Sequence, residues 1–157
     1  MEKIQKDFEE LLACFNKHRV KYCLVGAYAV AFHSIPRYTK DMDVFVEASP
    51  ENAKKIMSAL REFGFSSSGL GEDDFARPGK TVQLGYEPVR VDIVTSIDGC
   101  RFDTVWKHRK AGSYGRVRVF FIGLEDLLKN KRVSNRGQDQ LDLATLKKFR
   151  PKVNRRK

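Results

Sequence analysis

Cysteine, proline and tryptophan are scarce in this sequence, and long hydrophobic runs are absent. Its 157 residues include three cysteines, five prolines and one tryptophan. Cys14, Cys23 and Cys100 form no C-x-x-C pair and are odd in number, so we expect reduced thiols rather than a disulfide framework or a zinc site. No apolar run approaches the roughly 20 residues of a membrane-spanning helix, and the N-terminus lacks the apolar core of a signal peptide. These absences predict a cytoplasmic protein with no membrane partner.

Length and composition predict one compact domain. With 41% hydrophobic and 32% charged residues, a chain of this length can bury a sizeable core without dividing into two domains. We expect the domain to span residues 1–150. Residues 151–157 are expected to form a basic, disordered tail.

The positive charge is concentrated near the C-terminus. The net charge is +10, and residues 129–157 hold 11 lysines and arginines against two aspartates. This excess is either a solvated helix face with a frayed end or an electrostatic surface for nucleotide phosphates or RNA. Because Phe149 is the one aromatic residue in this region, we do not expect it to recognise RNA sequence by base stacking.

Hydrophobic periodicity predicts an α/β fold with a short mixed sheet and helices packed mainly on one side. A first helix of about 15 residues begins near Ile4, and Ser49 and Pro50 mark the start of another that runs to Phe63. Residues 66–80 are predicted to lack regular structure. Predicted strands cover residues 21–25, 42–46, 81–84, 88–94 and 116–121, and further helices cover 27–32, 124–133 and 138–149.

Two aspartates begin the second predicted strand. Asp41 and Asp43 are two residues apart, so their side chains lie on the same face of the strand. Two adjacent negative charges repel each other unless a cation lies between them, and Mg²⁺ prefers carboxylate oxygens. By itself the pair is more typical of a solvated strand edge than of a metal site, and a third carboxylate in a similar setting would favour the metal site.

A third aspartate lies in an apolar strand. Asp92 is flanked by Val91 and Ile93, and burying a carboxylate there is costly unless it is paired or binds a ligand. If this strand lies beside that of Asp41 and Asp43, the three carboxylates converge on one face.

The order of these motifs resembles that of small nucleotidyltransferases of the DNA polymerase beta superfamily. These proteins have a strand, a glycine-led turn and helix, a D-x-D pair on the next strand and one aspartate on a later strand. The matching residues here are Gly26, Asp41, Asp43 and Asp92. The superfamily turn is commonly Gly-Gly or Gly-Ser, whereas Ala27, which has no hydroxyl group, follows the glycine here.

Minimal prokaryotic members, many from toxin–antitoxin or abortive-infection systems, are more similar still. They carry a basic-aromatic segment, which corresponds to residues 36–39 here, and a C-terminal E-D-L-[IL]-x-x-K motif, which appears here as E-D-L-L-K-N-K at residues 125–131. The motif is followed by Arg136, Asp139 and Asp142, for which the residues alone indicate local salt bridges. The resemblance covers residues 20–146.

The resemblance implies transfer of a nucleoside monophosphate from an NTP such as ATP to a hydroxyl acceptor. Mg²⁺ or Mn²⁺ would be the cofactor, and two ions about 3.5–4 Å apart would stabilise the attacking and leaving oxygens. Asp41 and Asp43 would bridge both ions. Asp92 would bind the ion nearest the acceptor and take the proton of its hydroxyl group.

The same resemblance suggests the nucleotide-binding residues. Arg37 and Lys131 would neutralise the triphosphate, although the first could be a surface-loop cation and the second a solvent-facing helix residue. The other candidates are Gly26, Ala27 and Thr39, the last of which could instead be a strand-entry residue.

Two other classes of protein fit the sequence. One is a catalytically inactive member of the same fold that binds nucleotide or RNA as a regulator or toxin–antitoxin partner. The other is a basic RNA-binding module whose aspartates are structural. If the protein is an enzyme, its acceptor could be an RNA end, a protein hydroxyl or a small molecule.

Overall fold

The computed structural model describes residues 5–35, 39–65, 69–86 and 89–151. The predicted phosphate ligand Arg37 and most of the predicted basic tail, residues 152–157, lie outside the described residues. Both therefore stay predictions.

The described residues form seven helices and six strands, and their bounds follow in chain order. They are α1 Lys6–Lys17, β1 Tyr22–Val25, α2 Gly26–His33, β2 Asp41–Val46, α3 Pro50–Phe63, α4 Asp73–Ala76, β3 Thr81–Tyr86, β4 Val89–Val94, α5 Phe102–Lys107, β5 Lys110–Tyr114, β6 Val117–Phe121, α6 Leu124–Ser134 and α7 Gly137–Phe149.

The strands form a mixed sheet in the order β3-β4-β2-β1-β6-β5. Strands β2 and β4 are parallel, as are β1 and β6, and the other neighbours are antiparallel. This arrangement confirms the α/β fold and the mixed sheet expected from the sequence.

Helices pack on both faces of the sheet. Tyr22 pairs with Val46, so it lies on the face opposite Phe45. Phe15 of α1 contacts Tyr22, with ring centroids 5.8 Å apart, and α1 packs against α3. On the other face, Phe102 of α5 packs edge-on against Phe45 at 5.1 Å. The sequence predicted helices mainly on one side of the sheet, and it did not predict α5.

Three elements were missed in the sequence. Residues 66–80 were expected to lack regular structure, yet Asp73–Ala76 form α4 because Phe75 is fully buried against the core. Residues 102–114 form α5 and β5, which are too short and too irregular in polarity to give a periodic signal. The long helix Pro50–Phe63 begins and ends as predicted, with Ser49 Oγ accepting a hydrogen bond from the Asn52 amide.

The cysteines are free thiols, as expected. Within the part of the chain that the structure describes, every helix is too short or too polar to traverse a lipid bilayer.

Candidate functional site

The register between β2 and β4 determines which acidic residues meet. Asp43 pairs with Asp92, and Asp41 pairs with Arg90. Because side chains alternate along a strand, all four side chains lie on the same face of the sheet. The neighbouring strands that the sequence argument required are therefore present, and the three predicted aspartates are close neighbours.

Arg90 lies between two of the three carboxylates. Its Nη2 atom is 3.0 Å from Asp41 Oδ2, and its Nε atom is 3.3 Å from Asp92 Oδ1. Arg90 was not among the predicted site residues, although its spacing of two from Asp92 places it on the same face of the strand. Among the described residues, no group of three or more Asp, Glu, His or Cys side chains has the arrangement of a metal site.

Asp43 is a partly buried carboxylate that lies beside two other negative charges. Burial, followed by the negative charges of Asp92 and Asp41, raises its pKa to about 6, whereas Lys131 and Arg90 lower it only in part. A nearby cation stabilises the ionised form of a buried carboxylate more than it stabilises that of a solvated carboxylate. The electrostatics of the site therefore favour binding of a positive ion beside Asp43.

Several oxygens of the site lack hydrogen bonds. Asp41 Oδ1, Asp92 Oδ1 and Thr39 Oγ1 are buried and form no hydrogen bond among the described residues, although Asp92 Oδ1 is ion-paired with Arg90 Nε at 3.3 Å. Buried polar atoms in proteins are rarely left in this state, and such exceptions are often positions where an ion or water binds. Carboxylate oxygens are the donors that Mg²⁺ and Mn²⁺ prefer, so the residues present fit a hard divalent cation.

The turn at Gly26 is built around Asp43. Val25 pairs with Asp43 across β1 and β2, and Gly26 follows with a φ angle of +66°. A Cβ atom on Gly26 would lie 2.2 Å from Asp43 Oδ2, so a side chain at this position would collide with the carboxylate. Helix α2 begins at this glycine, which places the amide groups of its first turn next to the acidic cluster.

Lys131 is buried, and the alternative of a solvent-facing helix residue is therefore wrong. Its ammonium group lies 3.2 Å from Asp139 Oδ1 and 3.1 Å from Asp142 Oδ2. Burial would raise the pKa of Asp139, but hydrogen bonds from Ser134, the Arg136 amide and Lys131 hold that pKa below its ordinary value. The predicted local salt bridges of Asp139 and Asp142 are thus confirmed, and Lys131 is the residue that joins them.

Most of these groups line one open cleft of about 600 Å³, but Asp92 and Arg90 are not part of its lining. Its lining includes six of the predicted site residues and both acids that hold Lys131, namely Gly26, Ala27, Thr39, Asp41, Asp43, Lys131, Asp139 and Asp142. Arg136, which is mostly exposed, also lines the cleft. The cleft is large enough for a nucleotide-sized ligand, and it combines acidic groups for a metal ion with amide and cationic groups for phosphates.

Several solved structures are similar to this chain, and two of them are nucleotidyltransferases by name. The lincosamide antibiotic adenylyltransferase LnuA, solved with lincomycin bound, is 16% identical with a TM-score of 0.53, and the match covers 92% of this chain and 97% of LnuA. A candidate nucleotidyltransferase from Thermotoga maritima is 14% identical with a TM-score of 0.57, and the match covers 94% and 95% of the two chains. No protein-family model and no curated protein matches the sequence. The structural similarity shows that the chain has the nucleotidyltransferase fold.

Proposed function

We propose that the protein is a nucleotidyltransferase that uses Mg²⁺ or Mn²⁺ to move a nucleoside monophosphate from an NTP to a hydroxyl acceptor. The observation that carries the proposal is the β2–β4 register, which gathers Asp41, Asp43 and Asp92 beside the Gly26 turn. The nucleotidyltransferase fold of the two similar structures supports it.

Asp41 and Asp43 would hold the metal ions, together with Asp92. Buried oxygens of two of these residues have no hydrogen-bond partner among the described residues, and the third has a raised pKa, so the cluster offers oxygen donors and unbalanced negative charge. When bound, a divalent cation would supply Lewis-acid stabilisation of charge on the phosphate oxygens. Asp92 would also accept the proton of the attacking hydroxyl group.

The phosphates would bind near the start of α2. The amides of its first turn point out of the helix, and Ala27 leaves this surface open because its side chain is small. Lys131 is already paired with two carboxylates, so its net attraction for a triphosphate is smaller than the sequence suggested. We therefore propose Arg136, which lines the cleft, is mostly exposed and has one long ion pair with Asp139 at 3.6 Å, as a further phosphate ligand beside Arg37.

Arg90 would act as a temporary counter-ion of the carboxylates. We expect Arg90→Gln to destabilise the metal-free protein by about 1–3 kcal/mol, because it leaves buried charges unpaired. Mn²⁺ should then raise the melting temperature of the variant more than that of the wild type, because the ion no longer competes with a guanidinium group. Thermal melts with and without Mn²⁺ measure both effects, and Arg101→Gln, which removes an exposed ion pair with Asp103, is the matched control. An equal or smaller Mn²⁺ shift in Arg90→Gln would contradict this role.

The ion pairs of Arg90 also support a second candidate function, that of a regulator without catalytic activity. Because Arg90 already compensates Asp41 and Asp92, the protein could bind nucleotide or RNA as a regulator without catalysing transfer. The toxin–antitoxin or abortive-infection role and the cytoplasmic location suggested by the sequence stay predictions under either function.

Incubation with labelled NTPs distinguishes the two functions. Each α-labelled NTP is supplied with Mg²⁺ or Mn²⁺ and with RNA, protein or small-molecule acceptors, including lincomycin and a cell extract. We expect metal-dependent labelling by the wild type and none by Asp92→Asn, although the variant still binds NTP and melts near the wild-type temperature. A regulator would bind NTP or RNA but label no acceptor. An Asp92→Asn variant with full activity would exclude the proposed role of this carboxylate.

A further inference from the structure

A second groove lies at the opposite end of β1 from the acidic cluster. We call it the tryptophan groove; its floor contains Trp106 and Phe120, and its volume is about 520 Å³. Lys21, which precedes β1, lines this groove, whereas Gly26, which follows β1, lines the acidic cleft. The five residue steps between them span about 16 Å at the usual rise of a strand. The tryptophan groove is therefore separate from the candidate active site.

Five cationic side chains surround the tryptophan groove, and its lining includes no acidic residue among those that the structure describes. The cations are Arg19, Lys21, Lys55, Arg109 and Arg118. Lys21 and Lys55 are paired with Glu47 and Glu51, at 3.7 Å and 3.5 Å. The three arginines form no ion pair with an acid among the described residues, so their positive charge is left for a ligand.

Arg109 forms a fixed planar surface within the groove. Its guanidinium carbon is 3.7 Å from the centroid of the Trp106 ring and 4.9 Å from that of Phe120. Its Nη1 atom donates a hydrogen bond to the Trp106 carbonyl oxygen at 2.7 Å, while its buried Nε atom has no hydrogen-bond partner among the described residues. Because Arg109 also lines the groove, a guanidinium plane held in this way can stack against a nucleobase that binds there.

From this arrangement we propose that the tryptophan groove binds a nucleoside phosphate. The base would stack on the surface made by Arg109 and Phe120, and the phosphate would contact Arg118 and Arg19 at the rim. The nucleoside phosphate could be a free nucleotide or one unit of a single-stranded RNA. The site does not depend on the proposed catalytic function, because none of its residues belongs to the acidic cleft.

Trp106 provides a direct readout, because it is the one tryptophan of the chain. Its fluorescence is titrated without divalent metal with AMP, adenosine, inorganic phosphate and the hexamer rA6. We expect AMP or rA6 to change the fluorescence, and adenosine and phosphate to bind at least about tenfold more weakly because each lacks one of the two recognised groups. Binding of AMP alone would identify a mononucleotide site, and binding of rA6 alone an RNA site. If neither changes the fluorescence at low salt, the proposal is wrong.

Charge-reversal variants locate the binding. Arg118→Glu should weaken binding about tenfold, as expected for the loss of a charge-assisted contact, while Arg77→Glu, a matched change at an exposed position outside the groove, should weaken it less than twofold. The glycine variant Arg19→Gly is a second test that should not harm folding, because it removes a rim cation and relieves a φ angle of +58°. The Asp41→Asn/Asp43→Asn double variant should bind as the wild type does. Equal losses in Arg118→Glu and Arg77→Glu, or loss of the signal in the double aspartate variant, would overturn the assignment.

Discussion

Asp43→Asn is expected to abolish nucleotidyl transfer while making the metal-free protein more stable at neutral pH. Burial and the neighbouring aspartates raise the pKa of Asp43 to about 6 in the folded protein, above the ordinary value of 3.8. The folded state therefore binds the proton more tightly than the unfolded state does. This contribution to stability is fully present below pH about 4 and is lost as the pH rises through about 6.

Asparagine cannot ionise, so the variant should not lose this stability on going to neutral pH. We expect a gain on the order of 2 kcal/mol at pH 7 relative to the wild type, since one pKa unit corresponds to about 1.4 kcal/mol. Urea unfolding between pH 4 and 8 measures the difference, and Asp103→Asn, at an exposed position, is the control. Mn²⁺ should stabilise the wild type more than Asp43→Asn. A variant that is less stable than the wild type at pH 7, or that keeps its transfer activity, would contradict the assignment.

Gly26→Ala is expected to disable the site by displacing Asp43. The new methyl group would lie 2.2 Å from Asp43 Oδ2 and 3.0 Å from Asp43 Cγ, so the carboxylate must move. The φ angle of +66° adds a backbone cost of about 1–2 kcal/mol for a residue with a Cβ atom. We expect a loss of about 2–4 kcal/mol in stability and a loss of Mn²⁺ binding in any protein that still folds.

A second glycine, used as a matched control, separates the cost of the positive φ angle from the cost of the collision with Asp43. Gly79 has a φ angle of +82°, and no atom of the described residues lies within 4 Å of the position that a Cβ atom would take there, so Gly79→Ala should show the backbone cost alone. The collision can be tested in an Asp43→Ala background, where Gly26→Ala should cost less stability than it does in the wild type. If Gly26→Ala and Gly79→Ala are equally destabilising and both bind Mn²⁺ normally, the close packing of Gly26 on Asp43 has no functional role.

The acidic cluster could be predicted from the sequence because each part has a local signal. Alternation along a strand places Asp41 and Asp43 on one face, and the apolar neighbours of Asp92 identify it as a strand residue that needs a partner. The ion pair of Arg90 with Asp41 could not be predicted, because it depends on the β2–β4 register, which no local pattern determines, whereas the spacing of two between Arg90 and Asp92 is a local signal. From the sequence alone, a metal ion was therefore the cation expected between the carboxylates, and Arg90 was not.

The burial of Lys131 and the formation of α5 could not be predicted either, because both depend on contacts between residues far apart in the sequence. Lys131 is buried because α7 folds back and brings two carboxylates to it, and a periodicity argument made within α6 alone does not detect this contact. Helix α5 has six residues, which is too short for helical periodicity, and the packing of Phe102 on Phe45 connects residues 57 positions apart in the chain. Interactions of this kind depend on the tertiary fold rather than on local sequence.

The position of the label in the NTP tests the central proposal most directly. With α-labelled NTP and Mn²⁺, the wild type should transfer label to an acceptor, and with γ-labelled NTP the acceptor should stay unlabelled while the label is released as pyrophosphate. This pattern requires attack at the α-phosphate, which is the reaction assigned to Asp41, Asp43 and Asp92. Transfer of the γ-label, or no transfer from any NTP to any acceptor while NTP and Mn²⁺ still bind, would contradict the assignment.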